Sequence, residues 1–166
     1  MNQAQGAIDA ARAAGAEQFA ATEFAAAVDA LRRSEEAVGQ YDYRLALSLA
    51  IESRSQAQAA AKTAVESRAT ARGNAERAVA EVSTLVSHAR ERLKDPTLAA
   101  LRRGALKGPL AAIAQTEKSL QKARAALMAD DYAQAIELTK GLAARVQAAL
   151  TAIDDADAAT RTRGRR

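Results

Sequence analysis

The chain has 166 residues, no cysteine, eight glycines, two prolines and only 3% aromatic residues. So little turn material excludes an all-β sandwich or barrel and any collagen-like or proline-rich segment; without cysteine there is no disulfide, thiolate metal site or cysteine nucleophile. The formal net charge of +4 resides in Arg161, Arg163, Arg165 and Arg166, without which 20 basic residues face 20 acidic ones, so a broadly basic, nucleic-acid-binding body is not expected.

Alanine supplies 47 residues, whereas the large apolar types together supply 34. That ratio points to a few long, closely approaching helices, because an alanine seam brings helix axes toward the short end of the ~8–10 Å range. In chain order, Ile8 to Ala14 reads as a helix closed by Gly15 in a left-handed position. Thr22 is expected to cap a helix over about 23–38, closed by Gly39, with Phe24, Val28, Leu31 and Val38 on its buried stripe. Asp42 is expected to cap a very long helix from Tyr43 to Lys94, about 78 Å at 1.5 Å per residue, with Tyr43, Ala46, Leu47 and Ala50 opening its stripe. Gly73 costs that helix roughly 1 kcal/mol, too little to force a break.

Asp95-Pro96 stops the long helix and starts a short one over 97–106. Gly108-Pro109 interrupts, and a helix over 110–129 follows. Asp130-Asp131 then forms a turn and cap. One last helix carries Tyr132, Ile136, Leu142, Val146, Leu150 and Ile153, and the chain is expected to fray from about Asp155.

Shifting the chain by 89 residues pairs Asp42-Tyr43 with Asp131-Tyr132, Gly15-Ala16 with Gly104-Ala105, Leu31 with Leu120, and Leu49 with Leu138. This reads as a duplicated unit of short helix, Gly-Ala break, helix, Asp-Tyr turn and helix. Asp42 and Asp131 are assigned as caps, Tyr43 and Tyr132 as rings laid over the preceding helix, and Gly15 and Gly104 as breaks. The expected architecture is all-α: an elongated antiparallel bundle of coiled-coil-like hairpins, with an internal two-fold repeat and one very long central helix. A single domain over 1–158 is expected, built of units at about 7–66 and 96–155 joined by a helix over 67–94, with a basic flexible tail at 159–166.

The run Ala7-Ile8-x-x-Ala11-Arg12-x-Ala14-Gly15-Ala16, then Phe19-Ala20, Leu31, Ala37, Asp42-Tyr43, Ala46 and Leu49-Ala50, resembles the N-terminal pattern of the bacterial domain-of-unknown-function family 4398. Phe19 and Ala21 stand where that family often carries Tyr and Pro. The resemblance covers roughly residues 7–90. It implies a helical protein of the periplasm or cell envelope, of the kind often found as lipoproteins or joined to OmpA-like domains, with no established activity.

No constellation of catalytic residues is apparent. His88 is the only histidine and pairs in sequence with Glu91 alone, whereas a di-iron bundle needs two Glu-x-x-His motifs. Adjacent carboxylates such as Glu35-Glu36 do not face each other on a helix, and Gly104 to Gly108 lacks the Gly-Lys-Ser/Thr of a phosphate loop. The chain is therefore expected to be no enzyme, with no cofactor, catalytic or metal residue. The first expectation is a scaffold or spacer in a bacterial envelope, binding a second copy, an envelope protein or a cell-wall polymer.

The alternative is a cytoplasmic assembly or polyanion-binding protein using Arg161, Arg163, Arg165 and Arg166, with Arg102-Arg103 and Lys107 as further cations. No aromatic residue interleaves with these charges to stack bases, so nucleic acid is not the expected partner. No run of 18 apolar residues suits a bilayer. The opening Met1 to Gly6 lacks the regions of a signal peptide, so an envelope location requires that a targeting segment has been removed.

Overall fold

The computed structural model describes residues 2–101 and 104–163, and among them every regular element is helical. In order these are α1 (Asn2–Ala13), α2 (Ala16–Phe19), α3 (Ala21–Gly39), α4 (Tyr43–Arg92), a 3-10 segment (Pro96–Leu101), α5 (Lys107–Met128), α6 (Tyr132–Thr139) and α7 (Leu142–Arg163). The architecture is an all-α helical bundle with one very long helix, α4, running without a break through Gly73. Contacts cluster into two compact units, Met1–Thr70 and Ala71–Arg166, divided within the stretch 67–94 that was read as joining the two repeat units.

In the first unit, α1, α2, α3 and residues 43–70 of α4 enclose a core of small side chains. Ala4, Ala11, Ala16, Ala27, Ala57, Ala60 and Ala64 are buried there with the larger Ile8, Phe24 and Leu31, and Phe19 packs against them. Two serines exploit the close approach that alanine allows. Ser34 on α3 donates its hydroxyl to the Ala46 carbonyl on α4 at 2.7 Å, and Ser53 on α4 donates to the Ala27 carbonyl on α3 at 2.8 Å. Both side chains are fully buried, so each bond removes a polar group that would otherwise cost about 1–3 kcal/mol unpaired.

The buried stripes keep part of what was expected, Phe24 and Leu31 on α3 and Ala46 and Ala50 on α4, but not all of the large residues. On α3 they run through Phe24, Ala27, Ala30, Leu31, Ser34 and Ala37, while Val28 is exposed. On α4 they run through Ala46, Leu49, Ala50, Ser53 and Ala57, while Tyr43 and Leu47 face solvent. The alanine face wins because it admits the neighbouring backbone, and a bulkier face would hold it away.

The second unit has a conventional aliphatic core. Val79, Val82 and Val86 from α4 and Leu93 just after it join Leu98, Leu106, Ile113, Leu120, Leu142, Val146 and Ile153. The expected last helix is two helices. Gly141 adopts φ 70 between α6 and α7, a left-handed position that suits glycine. Lys107, Gly108 and Pro109 open α5 instead of interrupting it, consistent with proline's tolerance in a first turn. Residues 159–163 of the expected tail are helical, and Arg165 and Arg166 lie outside the described residues.

The two Asp turns share one geometry. Tyr41 (φ 62) and Asp130 (φ 60) occupy the left-handed position. Asp42 N–H donates to the Ala37 carbonyl at 2.9 Å and Asp131 N–H to that of Ala126 at 3.0 Å. Tyr41 N–H likewise reaches Val38, and Asp130 N–H reaches Leu127. Each turn is a Schellman closure whose last residue, the aspartate, also caps the next helix. Asp42 Oδ1 accepts from Leu45 N–H and Asp131 Oδ1 from Gln134 N–H, both at 3.0 Å. Gly39 lies inside α3 and Tyr41 supplies the left-handed residue, so the closure assigned to Gly39 falls two residues later. Thr22 is inside α3 and caps nothing; the helix starts from Ala20 with no side-chain cap. Replacing Asp131 by alanine is expected to cost about 1 kcal/mol in urea denaturation followed by circular dichroism.

Candidate interaction surface

The residues singled out as turn and cap positions do not behave as a symmetric set. Gly15 is left-handed at φ 84, as expected, and a methyl group on its Cα would fall 3.4 Å from the Phe19 ring. Gly104 is not among the positive-φ glycines; its carbonyl accepts from Lys107 N–H at 3.1 Å in the approach to α5. Tyr132 is 4% exposed and its hydroxyl donates to Asp130 Oδ1 at 2.6 Å, so it packs as expected. Tyr43 does not. It is 63% exposed and meets Tyr41 edge-on, ring centroids 6.5 Å apart.

Tyr43 opens an exposed apolar row on α4. Leu47 and Ile51 follow at four-residue intervals, 63% and 61% exposed, and Val65 continues the same helix face further along. Beside Leu47 and Ile51 an open groove of about 680 Å³ is walled on its other side by Asn2 and Gln3 at the start of α1. Arg54 reaches across its floor, donating to Gln3 Oε1 at 2.9 Å. Among the described residues no carboxylate lines this groove.

The other notable polar assembly lies in the second unit. Arg92, near the end of α4, directs Nη1 to Asp95, Nε to Asp154 and Nη2 to Asp157, at 2.9, 2.9 and 2.8 Å. Arg161 joins from α7, 2.9 Å from Asp157. The Asp157 side chain is only 7% exposed. The hydrogen bond from Arg92, aided by the charge of Arg161, holds its carboxyl below the ordinary value of 3.8. Asp95 is lowered too, first by the Thr97 N–H it accepts. This assembly ties the end of α4 to the turn after it and to α7. It has the form of a structural clamp, with every carboxylate directed at an arginine.

Arg161, the first candidate polyanion contact, is thus bound to Asp157 within the chain. The side chain of Arg163, all of Arg165 and Arg166, and Arg102-Arg103 lie outside the described residues. His88 is exposed, and Glu36 is engaged by Arg32. Among the described residues no three His, Cys, Asp or Glu side chains are grouped to hold a metal ion. Nor is any helix among them long and apolar enough to cross a membrane. Comparison with family models, curated proteins and solved structures finds no match for this chain.

Sequence reasoning missed the exposed row because it assigned Tyr43 and Leu47 to the buried stripe. The signal that could have found it lay within that stripe: Ala46 and Ala50, also assigned to it, are buried and continue through Ala57, Ala60 and Ala64 without needing Tyr43 or Leu47. It missed the clamp because Arg92 and Asp157 are brought together only by packing.

The clamp makes a signed pH prediction. A carboxyl lowered on folding stabilises the fold in full above its ordinary value, and that stability drains as pH falls through the lowered one. The melting temperature should therefore drop as pH is taken below 3.8. Asp157→Asn should melt lower than wild type at neutral pH and show a shallower acid decline, measured by circular dichroism at fixed salt.

Proposed function

We infer that the chain is a non-enzymatic interaction module that binds another protein through the exposed face of α4 in its first unit. The observation that carries this reading is the Tyr43, Leu47 and Ile51 row beside an open groove. Single exposed apolar residues need no explanation, but a contiguous row bordering a groove marks an interaction site. The matching turns at Asp42 and Asp131 support a further element of the proposal, that the chain carries a duplicated helical hairpin. The resemblance at Ala7 to Ala50 supports placement in a bacterial envelope, where such a module acts as scaffold or spacer. The cytoplasmic polyanion reading draws less support, because Arg161 is already committed to Asp157.

A photo-crosslinking residue in place of Leu47 tests the reading in fractionated source cells. A discrete adduct in the envelope fraction is expected from position 47. None is expected from the same residue placed at Met128, which is 88% exposed in the other unit. Adducts from both positions, or from neither, would remove the assignment.

A further inference from the structure

The two hairpins differ in how far a third helix covers them. In the second unit that helix is residues 71–92 of α4, antiparallel to α5: Arg90 pairs with Glu117 at 2.6 Å and Arg124 donates to Ser83 at 2.6 Å. Its buried positions, Ala75, Val79, Val82, Val86 and Ala89, continue to the far end of the hairpin.

In the first unit the covering helix is α1, with Ala4, Ile8 and Ala11 buried. Arg12 at its end sits 5.6 Å above the Phe24 ring, and Phe24 answers to Ile113 under the 89-residue shift. Antiparallel pairing of Arg90 with Glu117 sets Leu93 near Ile113. The three buried positions of α1 therefore answer to Val86, Ala89 and Leu93. Among the described residues of this unit nothing answers to Ala75, Val79 and Val82. The surface they would cover is where Tyr43 and Leu47 lie exposed, whereas their counterparts Tyr132 and Ile136 are buried and partly buried.

We propose that this end of the first hairpin docks one α-helix of a partner protein, laid in line with α1 with its C-terminal end toward Asn2. The site is continuous with the interface α1 already makes, and the second unit shows the kind of helix that fills such a position: small and β-branched residues at three- and four-residue spacing. Charge sets the direction. Among the described residues no carboxylate lines the groove beside Arg54, which donates to the neutral Gln3, and the first turn of α1 has no acidic side chain. The Arg54 guanidinium favours a negative group, which the last turn of an incoming helix supplies when it carries Asp or Glu. This rests on the reading of the first unit as an interaction surface and specifies what occupies it.

The probe is a fluorescein-labelled peptide with the sequence of residues 71–84, the stretch that has no counterpart in the first unit. It ends in a free carboxylate and is stapled through two solvent-side positions, because an isolated helix of this length is marginal in water. Titrated against the full chain by anisotropy, it is expected to bind saturably. Leu47→Asp should weaken binding by about tenfold or more, about 1.4 kcal/mol, and Met128→Asp should not. Circular dichroism of Leu47→Asp should match wild type, since the position is exposed. No saturable binding at millimolar concentration, or equal binding by Leu47→Asp, overturns the proposal. Dimerisation of the chain alone that Leu47→Asp abolishes also overturns it, because a second copy is then the occupant. Failure of the peptide with a surviving crosslink at position 47 removes the docked helix and leaves the interaction reading standing.

Discussion

Each hairpin turns on an aspartate that serves two helices at once. The N–H of Asp42 closes α3 by bonding back to Ala37, and its carboxylate opens α4 by accepting from Leu45; Asp131 does the same between α5 and α6. The chain reverses within three residues, so the reversed helix leaves at a fixed angle with its orphan backbone groups largely satisfied. The cost is a left-handed residue that is not glycine, Tyr41 in one turn and Asp130 in the other, at roughly 1–2 kcal/mol. In the second turn the hydroxyl of Tyr132 holds Asp130 by its carboxylate. Which side chains face inward on either side of the reversal follows from that angle.

Those inward faces are filled in two ways. In the first unit, alanine lets α3 and α4 approach until serine hydroxyls on each reach carbonyls on the other. Contact comes from backbone proximity and two directed hydrogen bonds more than from side-chain volume. In the second unit, valine, leucine and isoleucine fill the space, and the Arg92 clamp fastens α7 over the end of α4. One turn geometry thus serves two core chemistries. The first leaves large apolar side chains over for the outer surface, which is how Tyr43, Leu47 and Ile51 come to be exposed.

The parts of this fold that were legible in the sequence are those fixed by local chemistry. Asp42, Asp131 and Gly15 declare themselves because capping and left-handed closure need particular residue types within a few positions. The long helix from Tyr43 was legible because nothing between there and Arg92 is strong enough to stop it. Gly73 and Gly141 mark the limit: one lies in an unbroken helix and the other separates α6 from α7. A lone glycine costs about 1 kcal/mol in either place, so tertiary packing decides between them. The α4 stripe was read rightly at Ala46 and Ala50 and wrongly at Tyr43 and Leu47, where bulk was taken as a sign of burial although closeness of approach governs. The candidate surface was hidden by the same error, since Tyr43 and Leu47, which open it, had been assigned to the core.

The alanine core of the first unit also bears on how that unit answers to temperature. The heat capacity gained on unfolding scales with the apolar surface released to water, offset by the polar surface released with it. A core made mainly of methyl groups releases little apolar surface per residue while exposing a full complement of peptide groups. The curvature of stability against temperature is correspondingly weak. The first unit therefore has a low, broad stability curve, changing slowly across the range in which an aliphatic core such as that of the second unit passes through a distinct optimum.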